Sequence, residues 1–166
     1  DPEVSIMRGA AIYGIKPTQI VSRKSPYTIG TRKYTLRKKG TKCLNKVSDR
    51  CEYFDVFVKK GEDIKNNEAI FHTYIPMFEN QESVWFPLYF SHSEIQLYID
   101  EKVFRISDFS MDVTNMNIPL EKRRFELKME FGSCITVSGK NLVSGEKIKI
   151  FANYYNRNED RKSTRL

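Results

Sequence analysis

The sequence predicts a mainly β protein, an antiparallel β-sandwich preceded by one N-terminal α-helix. Three observations carry this expectation. From Tyr27 onward roughly eight or nine short runs of aromatic and β-branched residues follow one another, each bounded by turn residues. The 166 residues include 9 Tyr and 11 Phe, side chains that suit a pleated, half-buried surface. In FELKMEF (125–131), Phe125, Leu127, Met129 and Phe131 alternate strictly with Glu126, Lys128 and Glu130, the pattern of a strand with one wet face.

In chain order, residues 1–14 (DPEVSIMRGAAIYG) carry the signals of an amphipathic helix. Asp1 serves as N-cap, Pro2 fits the first helical position, Glu3 complements the helix dipole, and Gly14 followed by Lys16-Pro17 ends the run. Val4, Met7 and Ala11 fall at helical spacing, and Gly9-Ala10-Ala11 keeps that face thin enough for another backbone to approach. Residues 18–25 are aperiodic, with Ile20-Val21 as the apolar pair, and read as a linker. YTIGTRKYTL (27–36) is a strand in which Gly30 marks a bulge or a close backbone approach, and residues 37–42 are a basic loop.

CEYFDVFV (51–58), EAIFHTYI (68–75) and SVWFPLYF (83–90) are strands of ordinary length, separated by a turn at Lys60-Gly61-Glu62 and a loop over 76–82. Pro87 cannot donate a ladder hydrogen bond, which places its strand at an edge or gives it a bulge. EIQLYI (94–99) and KVFRI (102–106) read as a hairpin over Asp100-Glu101. After 125–131, a turn at Gly132-Ser133 leads to CITVS (134–138), and a longer connection to EKIKIFANYY (146–155), where Ile148 and Ile150 alternate with lysines.

The formal charge is +7. Residues 160–166 (DRKSTRL) read like a translated sequencing adapter and have no apolar periodicity. Without them 25 basic residues stand against 20 acidic, a modest +5. Cys43, Cys51 and Cys134 are odd in number and lack C-x-x-C spacing, so the expectation is free thiols in a reducing, cytoplasmic compartment, with neither a disulfide framework nor a zinc site. No apolar run is long enough to span a bilayer and no basic-then-apolar leader opens the chain, so no membrane association is expected.

Residues fit for catalysis are sparse. His72 lies in a strand and His92 beside a turn, and neither a nucleophile elbow, a metalloprotease motif nor a phosphate-cradling loop occurs. No catalytic residue and no metal ligand is assigned, and the chain is not expected to be an enzyme by itself. Arg32, Lys33, Arg37, Lys38, Lys39 and Lys42, with Tyr34 among them, have the make-up of a nucleic-acid-binding hairpin. A solvated loop whose charges protect a sheet edge is the preferred reading, so nucleic acid is disfavoured as a partner.

DPEVSIMRGAAIYG resembles the last helix of the nucleotide-binding domain in the seventy-kilodalton heat-shock chaperone family, in particular its divergent branch numbered twelve. The resemblance continues in order through SRKSPYTIGTRKY, VFVKKGEDIKNNEAIFHTY, ENQESVWFPLYFSHSE and the closing run to NYY, covering residues 1 to about 155. It implies the end of an actin-like ATPase domain (1–17), an interdomain linker (18–25) with Ile20 and Val21, and a peptide-binding-type β-sandwich (26–155); residues 156–166 are expected to be a disordered tail that includes the adapter-like residues. Carried onto this sequence, the peptide cleft would be lined by Thr31, Tyr34, Phe71, Tyr74, Phe86 and Leu88, gripping an extended chain by main-chain hydrogen bonds and an apolar pocket. The implied partners are unfolded or extended polypeptide segments and the parent's own ATPase domain. ATP and Mg²⁺ are implied for the full-length parent only, with no cofactor in this chain. The alternatives are a non-catalytic interaction scaffold, its cleft closed by the bulky Tyr74 and Phe86, and a basic module for nucleic acid or anionic surfaces.

Overall fold

The structure is a computed structural model that describes Ala11, Gly14, Ile15 and residues 21–114, 117–132 and 134–152, with residues 150–152 described by backbone alone. Most of the expected helix over 1–14, Ile20 of the expected linker, residues 153–155 of the last expected strand, and the adapter-like segment lie outside the described residues.

Among the described residues eleven strands follow in order: β1 (Ser22–Lys24), β2 (Thr28–Leu36), β3 (Lys46–Val47), β4 (Arg50–Val58), β5 (Asp63–Lys65), β6 (Glu68–Tyr74), β7 (Ser83–Ser91), β8 (Val103–Asp112), β9 (Phe125–Phe131), β10 (Ile135–Asn141) and β11 (Lys147–Ala152). They form a five-stranded sheet, β3-β4-β2-β7-β8, a four-stranded sheet, β11-β10-β9-β6, and a small β1-β5 pair, all antiparallel. A 3₁₀ turn at Leu120–Lys122 precedes β9.

The two larger sheets share one core. Ile29, Leu88, Phe109 and Met111 from the five-stranded sheet meet Leu127, Met129, Ile135 and Val137 from the other, all buried. Burying each such side chain contributes about 1.5–3 kcal/mol relative to leaving it in water. The alternation of β9 follows the expected pattern, with Phe125, Leu127, Met129 and Phe131 buried and the residues between them half-exposed. Gly139 brings the sheets close: a Cβ there would stand 2.3 Å from Met111 Cε and 3.3 Å from the Phe109 ring.

Gly30 meets both halves of its expectation. The β2–β4 register shifts between Ile29 and Gly30, and a Cβ at Gly30 would lie 2.2 Å from the Asp55 carbonyl oxygen. Pro87 departs from one of its two. Its strand is interior, between β2 and β8, but a register shift against β8 follows at Leu88/Tyr89.

Three further expectations are corrected. Cys43 and Cys51 form a disulfide, leaving Cys134 as the free thiol. The β3–β4 hairpin turns through Ser48, which takes a positive φ of 56°, and folds Cys43 back beside Cys51 at a Cα separation of 5.4 Å. The run 94–99 is no strand: Ile95 is 78% exposed, and the buried Gln96 accepts from Ser91 Oγ and donates to the Tyr98 carbonyl. Such local side-chain bonds compete with a ladder. Residues 22–24, read as linker, form β1 on β5, and Asn66 N–H donates to the Val21 carbonyl beside them.

Candidate functional site

The ladder between β2 and β7 runs only from Thr28↔Ser91 to Thr31↔Leu88. Beyond it, residues 32–36 continue paired with β4 alone, and residues 83–87 paired with β8 alone. The next residue on β7 after the last rung is Pro87. Its carbonyl accepts from Thr31 Oγ1 at 2.7 Å, so Pro87 turns towards β2 the side on which it has no N–H to offer. In a strand the N–H and C=O of one residue point the same way. The ladder stops where a donor is missing, and the two strands part.

The wedge between them is a cleft of about 790 Å³. Its floor is aromatic. Tyr74, Phe86 and Phe125 are 9%, 3% and 2% exposed, with ring centroids 5.8 Å apart for Tyr74–Phe86, 5.8 Å for Tyr74–Phe125 and 5.2 Å for Phe86–Phe125. One wall comes from β2 and from Val47 and Arg50 of the disulfide-tied hairpin; the other from β7, with Ile75, Pro76 and Met77 of the loop before it. A cleft of this size, apolar below and polar at its rim, matches the usual form of a ligand site. Another cavity, about 240 Å³ beside β1 and β5, is below that range.

The floor is fixed from beneath. Tyr74 O–H donates to Asp55 Oδ2 at 2.5 Å, and His72 Nδ1 lies 2.8 Å from the same oxygen while its ring stacks on Phe57. Burial and then the Asp55 charge push the Tyr74 hydroxyl far above its ordinary pKa, so it stays a donor. Burial by itself would raise the Asp55 pKa; the hydrogen bonds from His72 and Tyr74 and the charge of Lys33 outweigh it and hold the carboxyl below its ordinary value.

The rim is cationic and aromatic. The Arg32 guanidinium lies 4.3 Å from the centroid of Trp85 and 5.5 Å from that of Tyr34, and its Nη1 is 3.7 Å from Glu52 Oε1. Glu52, buried, also accepts from Tyr34 O–H and from Asn45 Nδ2. Lys33 Nζ stands 5.8 Å from the Tyr74 centroid. Among the described residues no group of three or more His, Cys, Asp or Glu side chains is arranged to hold a metal ion.

Of the residues carried over from the resemblance, Tyr34, Tyr74 and Phe86 line this cleft. Thr31 and Leu88 lie buried at its closed end, and Thr31 acts on it through Pro87. Phe71 does not reach it: three positions from Tyr74 in the same strand, it points to the opposite face, 52% exposed and capped by Lys128. Val21 is exposed. Trp85, Arg50, Arg124 and Met77 were missed, and all line the cleft. Trp85 carried one signal, being the single tryptophan of the chain.

Comparison with known proteins adds a distant relationship. The chain is similar to heat shock 70 kDa protein 12A. It is 23% identical over 167 aligned positions to the human protein and likewise to the mouse protein, covering 94% of this chain. The chain spans about a quarter of the length of these curated relatives. No family model matches it.

Proposed function

We propose that this chain is the peptide-holding part of a divergent chaperone of the seventy-kilodalton heat-shock type, and that the cleft between β2 and β7 receives an extended polypeptide segment. The observation that carries this reading is the interrupted ladder: two strand edges face a common wedge above an aromatic floor. An added extended chain can hydrogen-bond such edges while an apolar side chain drops into the pocket, the β-augmentation mode of peptide recognition. The similarity to heat shock 70 kDa protein 12A supports it.

The alternative of a closed scaffold rested on Tyr74 and Phe86 filling the cleft. Tyr74 stacks on Phe125 at an interplanar angle of 15° and Phe86 meets it edge-on at 64°, so the three rings pack together as the floor of a cleft of about 790 Å³. That favours an open site. Binding of nucleic acid through 32–42 is favoured less, since Arg32 and Lys33 are directed at aromatic rings of the cleft and Arg37 Nε donates to the Thr41 carbonyl.

No phosphate-cradling motif occurs in this sequence, so nucleotide and Mg²⁺ binding are proposed only for the longer parent, and no step here depends on them. No helix among the described residues is long and apolar enough to cross a membrane. The Cys43–Cys51 bond withdraws the free-thiol support for a reducing compartment; a cytoplasmic location is retained as a proposal, checked by trapping the redox state of those thiols in intact cells.

Trp85 makes the central test direct. A nine-residue peptide with a central leucine, titrated into the chain, is expected to change Trp85 emission saturably. An unchanged spectrum at millimolar peptide, with no chemical-shift change at Tyr34 or Trp85, would reject the peptide-site reading.

A further inference from the structure

The lining of the cleft carries more positive charge than a purely apolar ligand needs. Arg32, Lys33, Arg50 and Arg124 line it, against Glu121 as the carboxylate among the described lining residues. Desolvating such cations beneath an apolar ligand is costly unless the ligand supplies hydrogen-bond acceptors. Two of the four have partial compensation. Arg32 is near Glu52, and the charge of Lys33 acts on Asp55. Arg50 and Arg124 make no ion pair among the described residues. They also reach the cleft from different sheets, Arg50 as the first residue of β4 and Arg124 immediately before Phe125 of β9.

Arg32 is held over the Trp85 ring, its Cζ 4.3 Å from the centroid, and a guanidinium carries a fork of N–H donors whose geometry suits carboxylates. We propose that the cleft selects extended peptide segments in which an apolar residue is flanked by carboxylates, the apolar side chain resting on Tyr74 and Phe86 and the acids meeting Arg50 and Arg124. This rests on the peptide-site reading above and adds its ligand class.

The test uses the 166-residue chain and three labelled nine-residue peptides that share a central leucine and differ only in flanking Glu, Gln or Lys, followed by anisotropy and Trp85 emission. The Glu-flanked peptide should bind about tenfold tighter than the Gln-flanked one at low salt, with the Lys-flanked one weakest. The advantage should shrink at about 0.5 M salt. Arg124→Glu, and separately Arg50→Glu, should move the ranking towards the Lys-flanked peptide. Equal binding of the Glu- and Gln-flanked peptides overturns the selectivity and leaves the peptide site standing. Binding of none of the three overturns both. Displacement of the Glu-flanked peptide by a single-stranded oligonucleotide at lower concentration than by unlabelled Glu-flanked peptide also overturns it, in favour of a phosphate-backbone ligand.

Discussion

The Tyr74 hydroxyl of β6 donates to Asp55 Oδ2 of β4 at 2.5 Å, so one hydrogen bond ties the four-stranded sheet to the five-stranded sheet beneath the cleft floor. A bond to a charged acceptor in partly buried surroundings is stronger than a neutral one.

Tyr74→Phe keeps the ring and removes the donor. It should cost about 1.5–3 kcal/mol, the range for hydrogen bonds to charged groups, measured as a shift in the urea midpoint at neutral pH. Against the upward push of burial, the bonds from His72 and then Tyr74 hold the Asp55 carboxyl down, which predicts a pH dependence. The folded-state pKa of Asp55 lies below the ordinary carboxyl value, so on acidification the unfolded chain takes up the proton first. The contribution is therefore fully present above pH about 4 and is lost as pH falls through the lower folded-state value. Asp55→Asn should flatten this acid limb; an acid limb as steep as that of the parent would argue against the assignment.

Two glycines should differ in their tolerance of alanine. At Gly30 the new Cβ meets the Asp55 backbone carbonyl at 2.2 Å, which cannot step aside; at Gly139 it meets the end of the Met111 side chain at 2.3 Å, which can. Overpacking costs about 1–3 kcal/mol. Gly30→Ala should reach the top of that range or fail to fold, and Gly139→Ala should fall nearer the bottom, compared by thermal denaturation.

Legibility in the sequence followed the range of the interactions. The alternation in β9 and the special position of Gly30 were readable because strand period and glycine geometry are local. Tyr34, Tyr74 and Phe86 came from resemblance, and Phe71 was included against the two-residue period that sends it to the other face from Tyr74. Arg50, Met77 and Arg124 were not readable, since they reach the cleft from a hairpin, a loop and a strand start whose positions depend on the packing of both sheets. The disulfide was hidden for a related reason: the turn that closes it runs through Ser48 at positive φ, where no glycine announces it.

Reducing the Cys43–Cys51 bond should loosen the wall that Val47 and Arg50 provide. The two cysteines are 8 positions apart, and closing so short a loop contributes about 2–3 kcal/mol in the chain-entropy model. Cys43→Ser, which spares the buried Cys51, should lower the denaturation midpoint accordingly and make it insensitive to reductant. A midpoint in the parent that does not respond to reductant would contradict this.

Pro87→Val supplies an N–H on the side facing β2. Each ladder bond added beyond Thr31↔Leu88 should stabilise the fold by about 0.5–1.5 kcal/mol and narrow the wedge. The expected signature is a rise in stability together with a weaker Trp85 response to peptide; a stabilised variant with undiminished response would separate the ladder from the cleft.

Two bare strand edges in one notch are also available to a second copy of the same chain, because backbone donors and acceptors do not distinguish self from client. Arg32 and Lys33 on the β2 edge set like charges against each other in any such pairing. This defence is electrostatic and weakens with ionic strength, so added salt should draw the molecules into dimers even as it weakens their hold on acidic ligands.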